Sequence, residues 1–285
     1  MNVGVISSNK SEKEHTVKKA WENVIAMPVG GRSHKPREKG LTMVIDKNLG
    51  LHRLSDLISI ASDYIDVVKL TFGTSAFYHE SLLKEKNELL TAAGIDVMPG
   101  GTFLEIAVWQ GVLDDYLKNA HTLGFSAIEV SDGTIDMDLS TRKTAIQKAQ
   151  DSGFTVYTEV GKKDPSEALP LEETLRFIAE DVACGVKKVI IEAREAGKGV
   201  GIFDKEGKIK QDEMEEILSG AADPEALMWE APIKNQQQAL IIRCGHNVNL
   251  GNVPPDDILA LEALRQGVRG DTLKQAYLAN RDWQQ

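Results

Sequence analysis

The chain has 285 residues, 42% hydrophobic and 27% charged, with a formal net charge of −10. That length fits two ordinary domains or one large α/β barrel, and an acidic chain without a long basic stripe is a poor partner for nucleic acid or an anionic membrane surface. No apolar run approaches the ~18 residues of a membrane span, no signal-peptide pattern opens the chain, and the two cysteines, Cys184 and Cys244, read as reduced near-core residues. A cytoplasmic protein with no nucleic-acid or membrane partner is expected.

Residues 1–40 read as an arm. Ser11 and Glu14 have capping-box spacing ahead of a short helix over 12–26 carrying Trp21, Val24 and Ile25, and GGRSHKPREKG reads as a linker. From Leu41 onward eight apolar runs follow, at 41–45, 64–70, 95–99, 126–130, 154–160, 187–193, 226–231 and 247–251. Helix patterns alternate with them, at 52–62, 80–93, 104–123, 140–152, 171–184, 211–219, 234–243 and 255–266. Glycines 94, 124, 153, 185 and 245 fall between a helix and the next strand, where a left-handed residue ends a helix. Eight β-then-α units predict a TIM (β/α)₈ barrel over 41–274, with an N-terminal arm and a C-terminal tail at 275–285. The arm is expected to pack on the barrel exterior or on a neighbouring subunit, and a homo-oligomer is expected. A doubly wound open sheet is the alternative, but no G-x-G-x-x-G follows the first strand.

Such barrels carry their sites at the carboxyl ends of the strands. Four runs end there in a glutamate: Glu129 in SAIEV, Glu159 in FTVYTEV, Glu192 in KKVIIEA and Glu230 in ALMWEA. A strand buried on both faces has little reason to hold an acid, so the repetition points to a ring of carboxylates. Any one of them could instead serve a structural ion pair. With no His or Cys cluster beside them, carboxylate oxygens suit a hard cation, with Mg²⁺ the default. Lys69, Lys162, Lys163, Arg194 and Lys198 are interleaved with the acids and predict an anionic, metal-chelating substrate, although Lys163 and Lys198 individually could be solvated loop charges. Two segments suit phosphate: the loop GKGVG, through the backbone of Gly197, Gly199 and Gly201, and the last strand and turn NVNLGNVPP, which contains Asn249. The first could equally be a surface hairpin turning at Lys205-Glu206-Gly207. No G-x-S-x-G elbow occurs, His246 lies on the wrong side of its strand, and only His79 falls near the site, where it could equally cap a helix, so a Ser–His hydrolase is not expected.

Taken together, VKL and FGTS, PGGT, IEVSDGT, TEVGKK, IIEAREAGKGVGIFD, VNLGNV and LRQGVRGDT resemble the phosphosulfolactate synthase family over roughly residues 37–274. The resemblance implies a TIM barrel and a carbon–sulfur lyase that adds sulfite to phosphoenolpyruvate with Mg²⁺, giving (2R)-phospho-3-sulfolactate, a precursor of coenzyme M. It implies that a lysine of TEVGKK, Lys162 with Lys163 as fallback, protonates the carbon beside the substrate carboxylate. Lys69 and Arg194 would then hold anionic oxygens. The family is similar in including bacterial members and a plant heat-stress-associated protein. Two other readings therefore stand beside the first: a non-catalytic stress-associated barrel, and an enolate-forming enzyme that uses phosphoenolpyruvate with another nucleophile.

Overall fold

The computed structural model describes residues 18–194 and 196–279. Eight parallel strands form one sheet: β1 (Thr42–Asp46), β2 (Val67–Leu70), β3 (Asp96–Met98), β4 (Ala127–Val130), β5 (Thr155–Val160), β6 (Lys188–Ile191), β7 (Leu227–Glu230) and β8 (Asn249–Val253). Their order is β3-β2-β1-β8-β7-β6-β5-β4, and β3 meets β4 across the remaining seam. There the Ser126 N–H donates to the Val97 carbonyl at 3.2 Å, and the Val97 N–H donates to the Ser126 hydroxyl at 3.0 Å. The result is the expected barrel, with all eight predicted strands present.

Helices α1 (Leu51–Ala61), α2 (Glu80–Ala92), α3 (Gly101–Trp109), α4 (Leu113–Thr122), α5 (Leu139–Asp151), α6 (Leu171–Ala183), α7 (Gln211–Gly220), α8 (Lys234–Cys244), α9 (Ile258–Arg265) and α10 (Gly270–Ala279) surround it. The single helix expected over 104–123 is two. Gly111, at φ 70°, breaks it, and α3 starts three residues early because the Gly100-Gly101 pair lets its first turn begin at the strand end.

Period-2 alternation sorts each strand into two faces. Val44, Val68, Ile128, Val130, Ile191, Trp229 and Leu250 face the helices and join the large outer core. Met43, Met98, Tyr157, Ile190 and Met228 belong to a separate buried cluster that fills the barrel interior. One step further toward the carboxyl ends, the same inward parity reaches Lys69, Glu129, Glu159, Glu192 and Glu230. The charged residues are therefore a layer lying directly on an apolar plug.

The described part of the arm closes the opposite end. Ser11 and Glu14, the capping box, lie outside the described residues, and 20–24 form a turn rather than the predicted helix. The stretch read as a linker is held down: Arg32 pairs with Glu262 at 3.0 Å, Arg37 pairs with Asp66 at 3.0 Å, and both arginines are buried. No described helix is long and apolar enough to cross a membrane.

Candidate active site at the carboxyl-terminal mouth

The four glutamates converge, and each is at most 3% exposed. Lys69 rises from β2 into their midst, its Nζ 2.9 Å from Glu230, 3.0 Å from Glu129 and 3.3 Å from Glu159. Lys163 enters from the β5–α6 loop, 2.7 Å from Glu159 and 3.0 Å from Glu192. Backbone N–H groups hold the outer oxygens: Gly101 donates to Glu129 at 2.6 Å, Ala193 to Glu230 at 2.9 Å and Arg194 to Glu192 at 2.5 Å.

Four buried carboxylates thus face two ammonium groups, two more acids than bases. Protons relieve them unevenly. Burial pushes the Glu129 carboxyl up to about 7 against the pull of Lys69. Burial, with Glu159 alongside, raises Glu192 well above its ordinary range. Burial also opposes the charge on Glu159, but Lys163 and Lys69 outweigh it and hold that carboxyl well below the usual range. Both lysines pay for burial in the opposite sense, yet their glutamates keep them firmly protonated.

Glu159, Glu192 and Glu230 each offer a carboxylate oxygen within 4.8 Å of the others. The buried Oε2 atoms of Glu129 and Glu192 accept no well-directed hydrogen bond and meet only the ammonium groups of Lys69 and Lys163, each at 3.0 Å. An all-oxygen set in which four acids face two lysines fits one hard divalent cation, which would take the place of the protons on the raised carboxyls.

The remaining candidates are placed differently. Lys162, the favoured proton donor of TEVGKK, does not reach the four glutamates: its Nζ donates to the carbonyls of Asp132 at 2.8 Å and Ile135 at 3.3 Å, tying the β4–α5 loop to β5. The fallback, Lys163, is the side chain the structure brings to the carboxylates. The parity that sends Tyr157 and Glu159 inward already favours 163 over 162. Arg194 and Lys198 stand exposed at the rim. Gly199 and Gly201 lie in a loop that does turn back as a hairpin, with Phe203 bridged to Ile209. Asn249 is at the wrong end: β8 starts there rather than at 247, and its amide donates to the carbonyls of Glu225 and Leu227 at 2.9 and 2.8 Å while accepting from the Leu41 N–H. His79 occupies the N-cap position of α2 without a side-chain capping bond.

Other supports carried no legible signal. Arg142 on α5, fully buried, pairs with Asp181 and Asp132 and donates to the Glu159 carbonyl at 3.0 Å, fixing β5 behind its glutamate. Glu105 accepts from the Ser131 hydroxyl and from the N–H groups of Thr134 and Ile135, which shapes the loop after β4. Gln236, from the QQQ that opens α8, donates to the carbonyls of Gly197 and Gly207 and braces the hairpin.

A parallel eight-stranded barrel with buried charge gathered at the strand ends is the architecture of a TIM-barrel enzyme. The (2R)-phospho-3-sulfolactate synthase (ComA) family model matches residues 30–271, and the chain belongs to that family. It is 45% identical to the phosphosulfolactate synthase of Methanocaldococcus jannaschii over 237 residues, 82% of this chain and 94% of that protein. It is 40% identical to the phosphosulfolactate synthase of Bacillus subtilis, covering 87% of this chain and 97% of that one. The plant protein HEAT-STRESS-ASSOCIATED 32 of Arabidopsis thaliana matches at 23% identity over 82% of this chain and 88% of its own. Among solved structures, the YdjI aldolase of Escherichia coli aligns with a TM-score of 0.53 at 12% identity, over 86% of this chain and 91% of that one, a likeness of fold alone.

Proposed function

We propose that the chain is a carbon–sulfur lyase of the phosphosulfolactate synthase type, adding sulfite to phosphoenolpyruvate with Mg²⁺ to give (2R)-phospho-3-sulfolactate. The observation that carries this reading is the buried layer of four glutamates and two lysines at the mouth of a barrel from this family. Glu159, Glu192 and Glu230, with Glu129 beside them, would hold the cation, which supplies positive charge to the substrate carboxylate.

The chain's own groups do the rest. Sulfite sulfur donates its lone pair to the methylene carbon, the π pair moves to the adjacent carbon and its carboxylate, and a proton must then reach that carbon. Lys163 is the donor: the mouth keeps its ammonium protonated, and two carboxylates hold it in place. Neutralising Glu159 and Glu192 lowers its affinity for the proton toward a useful range. Lys69, at the floor, opposes the charge that gathers on the substrate carboxylate and keeps the carboxylates of β4, β5 and β7 apart. Lys162 and Arg142 are positioning residues behind β5. The apolar plug beneath excludes water from the reacting carbon.

Incubating the protein with phosphoenolpyruvate, sulfite and Mg²⁺ should yield a phosphorylated sulfonate detectable by mass spectrometry, and chelation of the metal should abolish it. Turnover of phosphoenolpyruvate with another nucleophile, or none at all, would replace this reading with one of the two alternatives.

A further inference from the structure

Among the described residues three non-glycines have left-handed backbone: Phe72 at φ 59°, Arg194 at φ 61° and Asn252 at φ 52°. Phe72 and Arg194 lie just past the ends of β2 and β6, and Asn252 lies near the end of β8, so all three stand at the mouth. Such conformations are unfavourable for residues with a Cβ, least so for asparagine, and they collect where function holds them. Asn252 combines the strain with a second cost: it is 3% exposed, and its carboxamide oxygen is buried without a hydrogen-bond partner.

The backbone aims it there. Thr42 pairs with Leu250 and Val44 with Val253, so three steps along β8 match two along β1, and β8 carries an extra residue. Leu250 and Val253 both face the helices. The two residues between them, Gly251 and Asn252, are left on the barrel side, where a Cβ on Gly251 would come within 2.7 Å of Met43. A bulge has therefore turned one extra side chain inward, and that side chain is a carboxamide.

The charges in the mouth indicate what it meets. The inward acids stand at the carboxyl ends of β4, β5, β6 and β7, while among the described residues Lys69 is the inward charge on the β8-β1-β2 arc. Asp46 of β1 points outward and is taken by Lys86. A substrate carrying a cation-bound carboxylate at one end and a phosphoryl group at the other has an electrostatic reason to lie with its phosphoryl group on that arc, where no described acid points inward from a strand; of the two acids in the turn after β8, Asp256 and Asp257, Asp256 is exposed and paired with Arg53. A half-turn of the carboxamide exchanges oxygen for N–H without disturbing packing.

We propose that Asn252 is a substrate-binding residue that donates a hydrogen bond to the phosphoryl group of the substrate and so sets its orientation across the mouth. This rests on the phosphoenolpyruvate reading above, and it assigns to β8 a role that Asn249 cannot fill.

Asn252→Gly tests it cleanly, because glycine accepts the left-handed backbone and the variant is expected to fold with a Tm no lower than the wild type. KM for phosphoenolpyruvate should rise roughly ten- to hundred-fold, with kcat within about three-fold and KM for sulfite unchanged. Asn252→Asp, with a charge facing the phosphoryl group, should raise KM further. An unchanged KM in Asn252→Gly, or tighter binding in Asn252→Asp, overturns the proposal. A second measurement separates it from the reaction: inorganic phosphate should raise the Tm of the wild type and not of either variant. A wild type that is inactive yet shows this Asn252-dependent shift refutes the reaction and leaves the phosphoryl site standing. An active wild type whose phosphate shift persists in both variants refutes the site, as does a wild type with neither activity nor shift.

Discussion

Lys162 and Lys163 are neighbours in sequence with different surroundings, one on loop carbonyls and one between two carboxylates. Lys163→Ala should therefore lower kcat by about 10²–10⁴ with substrate binding changed only a few-fold, the span of a lost general acid. Lys162→Ala should act through loop position, with a smaller fall in kcat. Steady-state kinetics on both variants decides, and the reverse ranking would return the proton to Lys162. Glu129 makes a prediction about pH. Its carboxyl has an ordinary value of 4.5 and titrates near 7 in the folded protein, so between those values the native state holds a proton that the unfolded chain has released. Its contribution is fully present below about pH 4.5 and is lost as pH rises through 7. In chelator, Glu129→Gln should gain in Tm relative to wild type as pH is raised from 5 to 7.5. Parallel Tm curves across that interval would contradict the raised value.

At the scale of elements, the β6–α7 connection shows how a loop is made dependent on its glycines. Gly201 has φ 57°, and a Cβ there would lie 2.1 Å from the Glu192 carbonyl oxygen, a backbone atom that cannot swing aside. Gly199 has φ 70° but open space around its missing Cβ. Gly199→Ala should thus cost only the backbone strain, about 1 kcal/mol. Gly201→Ala should cost clearly more and displace Glu192, weakening Mg²⁺ binding in calorimetry as well as lowering Tm. Equal Tm losses with unaltered metal affinity would show that the loop is independent of the carboxylate layer. The split of the helix expected over 104–123 belongs at this scale too, since Gly111 sits within a pattern whose apolar spacing alone reads as continuous.

Across the whole molecule the two ends of the barrel divide their labour. The mouth accumulates buried charge and strained backbone, while the other end is sealed by the arm through Arg32–Glu262 and Arg37–Asp66, all four side chains at most 8% exposed. Removing one partner of such a pair leaves an uncompensated buried charge, so Arg32→Met should destabilise by ~3 kcal/mol. Because that pair lies at the far end from the glutamates, kcat of the folded variant should stay within about two-fold. Chemical denaturation and kinetics measure both, and a large fall in kcat with stability intact would mean that the arm communicates with the site.

The sequence alone was enough for the eight strands and the acids that close four of them. Apolar period and strand-end charge are local properties, written along a few consecutive residues whatever the rest of the chain does. The pairing of those acids with Lys69 and Lys163, the tie of Lys162 to the β4–α5 loop and the supports from Arg142 and Gln236 depend on register between strands distant in sequence. The eighth strand makes the point most sharply. Its amide at 249 and its amide at 252 look alike in NVNLGNV, but a two-residue shift in where the strand begins puts one at the end opposite the mouth, and a single extra residue in the ladder turns the other into the mouth. A change of one or two positions in register reverses which side chains meet, and only the closed barrel fixes that register.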